Sequence, residues 1–195
     1  MDLDTAIKTR RSVRRFSDRP VPEDQLRLIV EAGNSAPSAC NFQAWRFRIL
    51  TAAQKHKMVK LGGADIIANA PLVIMVFYPK TDNPYHDGIQ SASACIQNML
   101  LTATSLGIGS CWICHLPMKT QVKQLFSAPF HYEPVACVLL GYPAGAQVPM
   151  KRKFSFEELF EFGSKSYRNI LKYFYTRLPF RPKIVERLFT KRFPN

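Results

Sequence analysis

The chain has 195 residues, 47% of them hydrophobic, which excludes a largely disordered protein and suits one domain with a core of its own, plus an appendage. Its formal charge of +13 is uneven: residues 164 to 195 hold nine Lys/Arg against Glu186, so the basicity belongs mostly to one end and does not make the whole chain a nucleic-acid binder. No run reaches the roughly 18 apolar residues that span a bilayer, and the acidic opening Met1-Asp2-Leu3-Asp4 has no apolar signal region, so a cytoplasmic protein is expected.

Leu3, Ala6 and Ile7 form a short helical stripe with Asp2 and Asp4 at its positive end. The stripe delivers Arg10-Arg11-Ser12-Val13-Arg14 to a turn. Three arginines within five residues repel one another unless solvent or a bound anion compensates them. Alone, the run is either a solvated basic turn or half of an anion grip, answered downstream by Lys151-Arg152-Lys153. Phosphate is the natural anion, because guanidinium offers a planar fork and serine a small hydroxyl.

Pro22 at a first-turn position, Glu23 and Asp24 behind it, and apolar Leu26, Ile29, Val30 and Ala32 predict a second helix that stops at Gly33. The loop from Ser35 to Gln43 carries small and amide residues suited to close backbone approach to a planar ligand, or to an ordinary turn. Trp45 to Thr51 alternates as a strand, and Gln54 to Leu61 reads as a helix ending at Gly62-Gly63. Leu72 to Tyr78 is a continuous apolar run between Pro71 and Pro79, the mark of a central strand covered on both faces. Ala92, Cys95, Ile96, Met99, Leu100, Ala103 and Leu106 recur at helical spacing until Gly107. Almost no charge lies between Asp87 and Lys119, so this helix is expected to be buried nearly all round, in a core or a subunit interface. Ile108 to Ile113 and Val135 to Leu140 are further strands, with a helix around Gln121 to Phe126 between them. The alternation predicts a mixed α/β sheet flanked by helices.

Cys40, Cys95, Cys111, Cys114 and Cys137 all lie in apolar surroundings, which fits reduced, buried thiols. Cys111-Trp112-Ile113-Cys114 has redox-motif spacing, but it falls in a strand-like run that puts the two thiols on opposite faces. No second cysteine pair completes a zinc shell, and no metal is expected.

Taken in order, five of these segments resemble the FMN-dependent nitroreductase family. The RRSxR-type run matches Arg10 to Arg14, and the PSxxNxQPW loop matches Pro37 to Trp45 with Ala44 in place of the usual proline. The long helix with its LGLG-type exit matches Gln97-Asn98-Met99 through Leu106-Gly107-Ile108-Gly109; Gly141-Tyr142-Pro143 matches the turn after a strand, and Lys151-Arg152-Lys153 the final basic element. The likeness covers residues 1 to about 163 and leaves 164 to 195 as a basic, aromatic extension.

The resemblance implies an α+β homodimer with two FMN sites built from both subunits. It places Arg10, Ser12, Lys151 and Lys153 on the FMN phosphate with Arg11 close by, and Arg14 near the pyrimidine edge of the ring. Pro37, Ser38, Ala39 and Asn41 would come from the partner subunit, while Trp112, Ile113, Cys114 and His115 match a strand end whose backbone N–H groups face flavin N5 and O4. Related proteins often have Glu-Gly or another small residue at Cys114 and His115, a departure that backbone donation tolerates. His115 is then either a structural residue or a protonatable neighbour of substrate.

The implied activity is hydride transfer from NADH or NADPH through the flavin to a nitroaromatic, quinone or similar conjugated small-molecule acceptor, in ping-pong order. Two alternatives stand beside it: a flavin-binding domain without nicotinamide-driven turnover, and a membrane-surface adaptor acting through the tail. In that tail Tyr167, Ile170, Leu171, Phe174 and Leu178 recur among Lys165, Arg168, Lys172 and Arg177, the pattern of a basic amphipathic helix or of an arm packed on a partner subunit.

Overall fold

Four strands set the frame: β1 (Arg46–Ile49), β2 (Leu72–Pro79), β3 (Gly109–Ile113) and β4 (Tyr132–Gly141) pair in the order β1-β2-β4-β3. The protein is seen as a computed structural model describing residues 1–81, 84–146, 153–155 and 159. By its internal packing the chain divides into Met1–Met150 and Lys151–Asn195, and all four strands belong to the first unit. Residues 164 to 195, where the amphipathic tail was expected, lie outside the described residues, as does Lys151.

The helices of the first unit are α1 (Leu3–Thr9), α2 (Glu23–Asn34), α3 (Ala52–Lys60), α4 (Ile66–Asn69), α5 (Asp87–Ser105) and α6 (Lys119–Phe126), with a single tight turn over Ala39–Asn41. The α+β class holds, and within it the named strands pair antiparallel throughout. Alternation along β2 explains its central place: Ile74, Val76 and Tyr78 join one core with α2 and α5, while Val73, Met75 and Phe77 join a second with α3, α4 and α6. Each fully buried aliphatic side chain contributes about 1.5–3 kcal/mol by leaving water, so β2, with six consecutive buried residues, anchors both layers.

Several boundaries differ from expectation for identifiable reasons. The strand predicted over Trp45 to Thr51 is only four residues, because Thr51 instead caps α3 in a reciprocal capping box with Gln54. Pro22 is the N-cap of α2 rather than a residue of its first turn. That helix does not stop at Gly33: Gly33 is buried inside it, and a Cβ there would come within 2.7 Å of Met99 Cγ, so this glycine serves the close approach of α2 to α5. Gly107 does end α5, in the left-handed region at φ +72.

Helix α5 is not buried all round in the single chain. Its sheet-facing stripe is buried, but Ile89, Gln90 and Gln97 are exposed, because α1, α2 and the sheet cover only one side. Nor are all five thiols buried: Cys40 sits on a loop and Cys114 just past β3, both exposed. No helix among the described residues is long and apolar enough to cross a membrane.

Candidate active site on the open edge of β3

The arginine run is held by backbone. Helix α1 starts on Asp2, whose carboxylate accepts from the Thr5 N–H at 2.9 Å, and it closes with the Arg10 N–H donating to Ala6 O at 2.9 Å. From there the chain lies along β3, which has no named strand on its outer side. Ser12 bridges Ser110 in parallel, the Val13 N–H donates to Ser110 O at 2.9 Å, and Phe16 bridges Pro143. The Ser17 N–H donates to Tyr142 O at 2.8 Å and the Ala144 N–H to Arg15 O at 3.0 Å, pinning the far end of the run.

This path half-buries Arg10, Arg11 and Ser12 and leaves Arg14 exposed. Burial pushes the Cys111 thiol up, while the Arg14 charge, the Ser12 hydroxyl and the Arg10 charge pull it back, so these groups all act on one point of β3. Burial alone acts on Cys95 and Cys137, whose thiols are pushed up to about 12.

Three polar atoms on this edge are buried and meet no hydrogen-bond partner among the described residues: Arg11 Nη1, Ser110 Oγ and Trp112 Nε1. An unpaired buried polar group costs about 1–3 kcal/mol, more when charged. Two of the three are pure donors, so what they lack is an acceptor. The edge continues through Ile113 to Cys114 and His115, both exposed, where the turn is tied down by Leu116 N–H to Cys114 O at 2.9 Å and Ala64 N–H to His115 O at 3.3 Å.

The loop bearing Pro37, Ser38, Ala39 and Asn41 lies elsewhere. Cys40, Asn41 and Gln43 all have positive φ, a conformation that costs L-residues on the order of 1 kcal/mol or more each. Side chains compensate: Ser38 Oγ accepts from the Gln43 N–H at 2.9 Å, Asn41 Oδ1 from Gln43 Nε2 at 2.5 Å, and Ser91 Oγ from the Ala39 N–H at 3.0 Å. Trp45 Nε1 donates to Asn34 Oδ1 at 2.8 Å, and the Phe42 and Trp45 rings pack on Tyr78. Pro37, Ser38 and Ala39 line an open cleft of about 270 Å³ with Gln90, Ser91 and Ala94 of α5.

Strand register places the arginine run and the loop toward opposite ends of the strands. Ser110 is level with Leu72 through Leu140, whereas the loop packs on Tyr78, six residues and about 20 Å farther along β2; Ile113, at the other end of β3, is level with Met75 through Cys137. One chain therefore attaches Arg10 to Arg14 at the Ser110 end of β3, with Trp112 to His115 following along the same strand, and holds Pro37, Ser38, Ala39 and Asn41 near the Tyr78 end of β2. Lys153 is exposed in the second unit. Sequence reasoning missed Ser91 and Asn34, the residues that fix the loop. The available signal was a hydroxyl on the buried stripe of α5 and an amide at the last turn of α2.

An edge of fixed cations and unpaired donors beside a strand end is suited to an anionic, acceptor-rich ligand lying along it. Comparison with known proteins narrows this. The Nitroreductase family profile matches residues 7–61 and 51–142. The chain belongs to the nitroreductase family. A Methanothermobacter thermautotrophicus relative, provisionally named NADH dehydrogenase/NAD(P)H nitroreductase, is 36% identical over 151 residues, covering 74% of this chain and 78% of the relative. Among solved structures, a Desulfovibrio desulfuricans nitroreductase in complex with FMN is 30% identical at a TM-score of 0.71, covering 85% of this chain and 99% of that one. A Parabacteroides distasonis structure, named like the Methanothermobacter relative, is 27% identical at a TM-score of 0.73, covering 83% and 98%. The nitroreductase match takes in the arginine run, the loop, α5 and the strands that carry the site.

Proposed function

We propose that this nitroreductase-family chain is an FMN-dependent oxidoreductase that takes reducing equivalents from NADH or NADPH and delivers them to a flat conjugated acceptor such as a nitroaromatic or a quinone. The observation that carries the reading is the outer edge of β3, where half-buried Arg10, Arg11 and Ser12 run beside the strand that bears the unpaired Ser110 Oγ and Trp112 Nε1, with Arg11 Nη1 unpaired as well. That donor set fits a phosphorylated, acceptor-rich cofactor. When bound, FMN supplies a two-electron carrier that accepts hydride at N5 and passes it on.

The chain's own residues divide the work. Arg10 and Ser12 hold the phosphate with Arg11 close by. Arg14, left exposed at the end of the run, holds a positive charge against the pyrimidine edge and favours the reduced state electrostatically. The backbone of Trp112, Ile113, Cys114 and His115 lines the ring edge, which is why unusual side chains at Cys114 and His115 are tolerated. His115, exposed there, is the candidate for protonating the reduced acceptor.

Pro37, Ser38, Ala39 and Asn41 complete the site from a second copy, in keeping with their distance from the arginine run in one chain. The exposed face of α5 is the corresponding dimer surface. Donor and acceptor then use one cleft in turn, which gives ping-pong kinetics. Purified protein should be yellow, and NADH or NADPH should bleach it before an acceptor restores the colour. A colourless preparation that takes up no added FMN would sink the proposal.

A further inference from the structure

Gly109 and Gly141 face each other across β3 and β4, and each lies under a side chain of the arginine segment. A Cβ on Gly109 would stand 2.9 Å from Val13 Cγ2 and 3.0 Å from Val13 Cβ and Cγ1, and one on Gly141 would stand 2.9 Å from Phe16 Cδ1 and from the Pro71 ring. Neither glycine has a positive φ, unlike Gly62, Gly107 and Gly145, so the backbone does not need glycine at 109 or 141. What the two positions need is the missing side chain.

We infer that Gly109 is a positioning residue for phosphate recognition, a seat whose depth sets how closely Ser12 and the flanking arginines lie to the β3 edge. The inference rests on the proposed FMN site. Val13 is 5% exposed and its N–H is the one bonded to Ser110 O, so it is the bolt between the run and the strand. Rotation about χ1 does not relieve a clash at 109, because Val13 Cβ itself is one of the crowded atoms. The Val13 backbone must retreat by about 0.5–1 Å to regain ordinary carbon contact, and Ser12 and Arg14, its chain neighbours, retreat with it.

The test measures FMN and riboflavin affinities side by side on the full-length chain, since only FMN carries the phosphate. Wild type should prefer FMN. Gly109→Ala should reduce that preference about tenfold, the loss of one charge-assisted hydrogen bond, while riboflavin affinity stays within about twofold. Adding Val13→Ala to Gly109→Ala removes the two crowded γ carbons, leaving only the Cβ contact at 3.0 Å, and should restore part of the preference. If Gly109→Ala does not fold, Val13→Ile presses on the same seat from the other side and should show the same selective loss. Equal loss of both flavins, an unchanged preference, or failure of Val13→Ala to rescue overturns the inference while leaving the FMN reading intact. A wild-type chain that binds neither flavin overturns both.

Discussion

The segment from Arg10 to Ser17 is fixed by its backbone, through a strand bridge at Ser12, a second bridge at Phe16 and the hydrogen bonds of Val13 and Ser17. The segment from Pro37 to Gln43 is fixed by side chains, with Ser38, Asn41 and Ser91 holding three non-glycine residues at positive φ. Backbone pairing tolerates changes of side chain and suits a site whose arginines must face outward. Side-chain clamping stores strain and depends on a few hydroxyls and amides, so the loop is the part that loosens first. The two regions share one proposed ligand only when two chains meet, which gives each its own characteristic failure.

The largest expected effect separates functions within the backbone-held segment. Arg10→Ala should weaken FMN retention by about ten- to a hundredfold, the value of a charge-assisted contact. Arg14→Ala should change retention only a few-fold but lower the reduction potential of the bound flavin, measured by equilibration with reference dyes. Equal losses of retention with an unchanged potential would reduce the whole run to a phosphate clamp.

A smaller effect is expected at the loop. Ser91→Ala leaves the Ala39 N–H without its acceptor and Asp87 O without the Ser91 hydroxyl, at a cost of about 1–3 kcal/mol in denaturant unfolding. Amide exchange should accelerate between Pro37 and Gln43 and stay slow on β3. FMN binding should weaken while the preference for FMN over riboflavin survives, because this loop does not touch phosphate. Unchanged exchange in the loop would show that the aromatic packing of Phe42 and Trp45 on Tyr78 holds it instead.

Much of the fold was legible in the chain. The apolar run at Leu72 to Tyr78 announced a central strand because both faces are covered, and the stripe from Ala92 to Leu106 announced α5 because its period is helical. Gly33 misled because a glycine late in a helix reads as a stop, whereas in the folded chain it is a contact with Met99 that exists only after α2 meets α5. The arginine run was readable as a solvated basic turn or half of an anion grip, but its attachment to β3 was not readable, since Ser12 and Ser110 are 98 residues apart and pair by one bridge. Ser91 was hidden among Ser91-Ala92-Ser93-Ala94, where only the fold distinguishes a clamp from a small residue.

Each region carries one exposed cysteine, Cys40 in the clamped loop and Cys114 past the end of β3, so thiol labelling compares them without a mutation. Cys95 and Cys137 are buried, with thiols pushed up to about 12, and Cys111 is buried beneath the arginine run, so these three should label only on unfolding. In the FMN-free protein Cys40 and Cys114 should react first, identified by peptide mass. Added FMN should slow both if the proposed site joins the loop of one chain to the β3 edge of another. Protection of Cys114 alone would keep the cofactor on the β3 edge and remove the loop from it, because Cys114 follows β3 while Cys40 lies on the loop that packs on Tyr78 of β2, with β4 between the two strands.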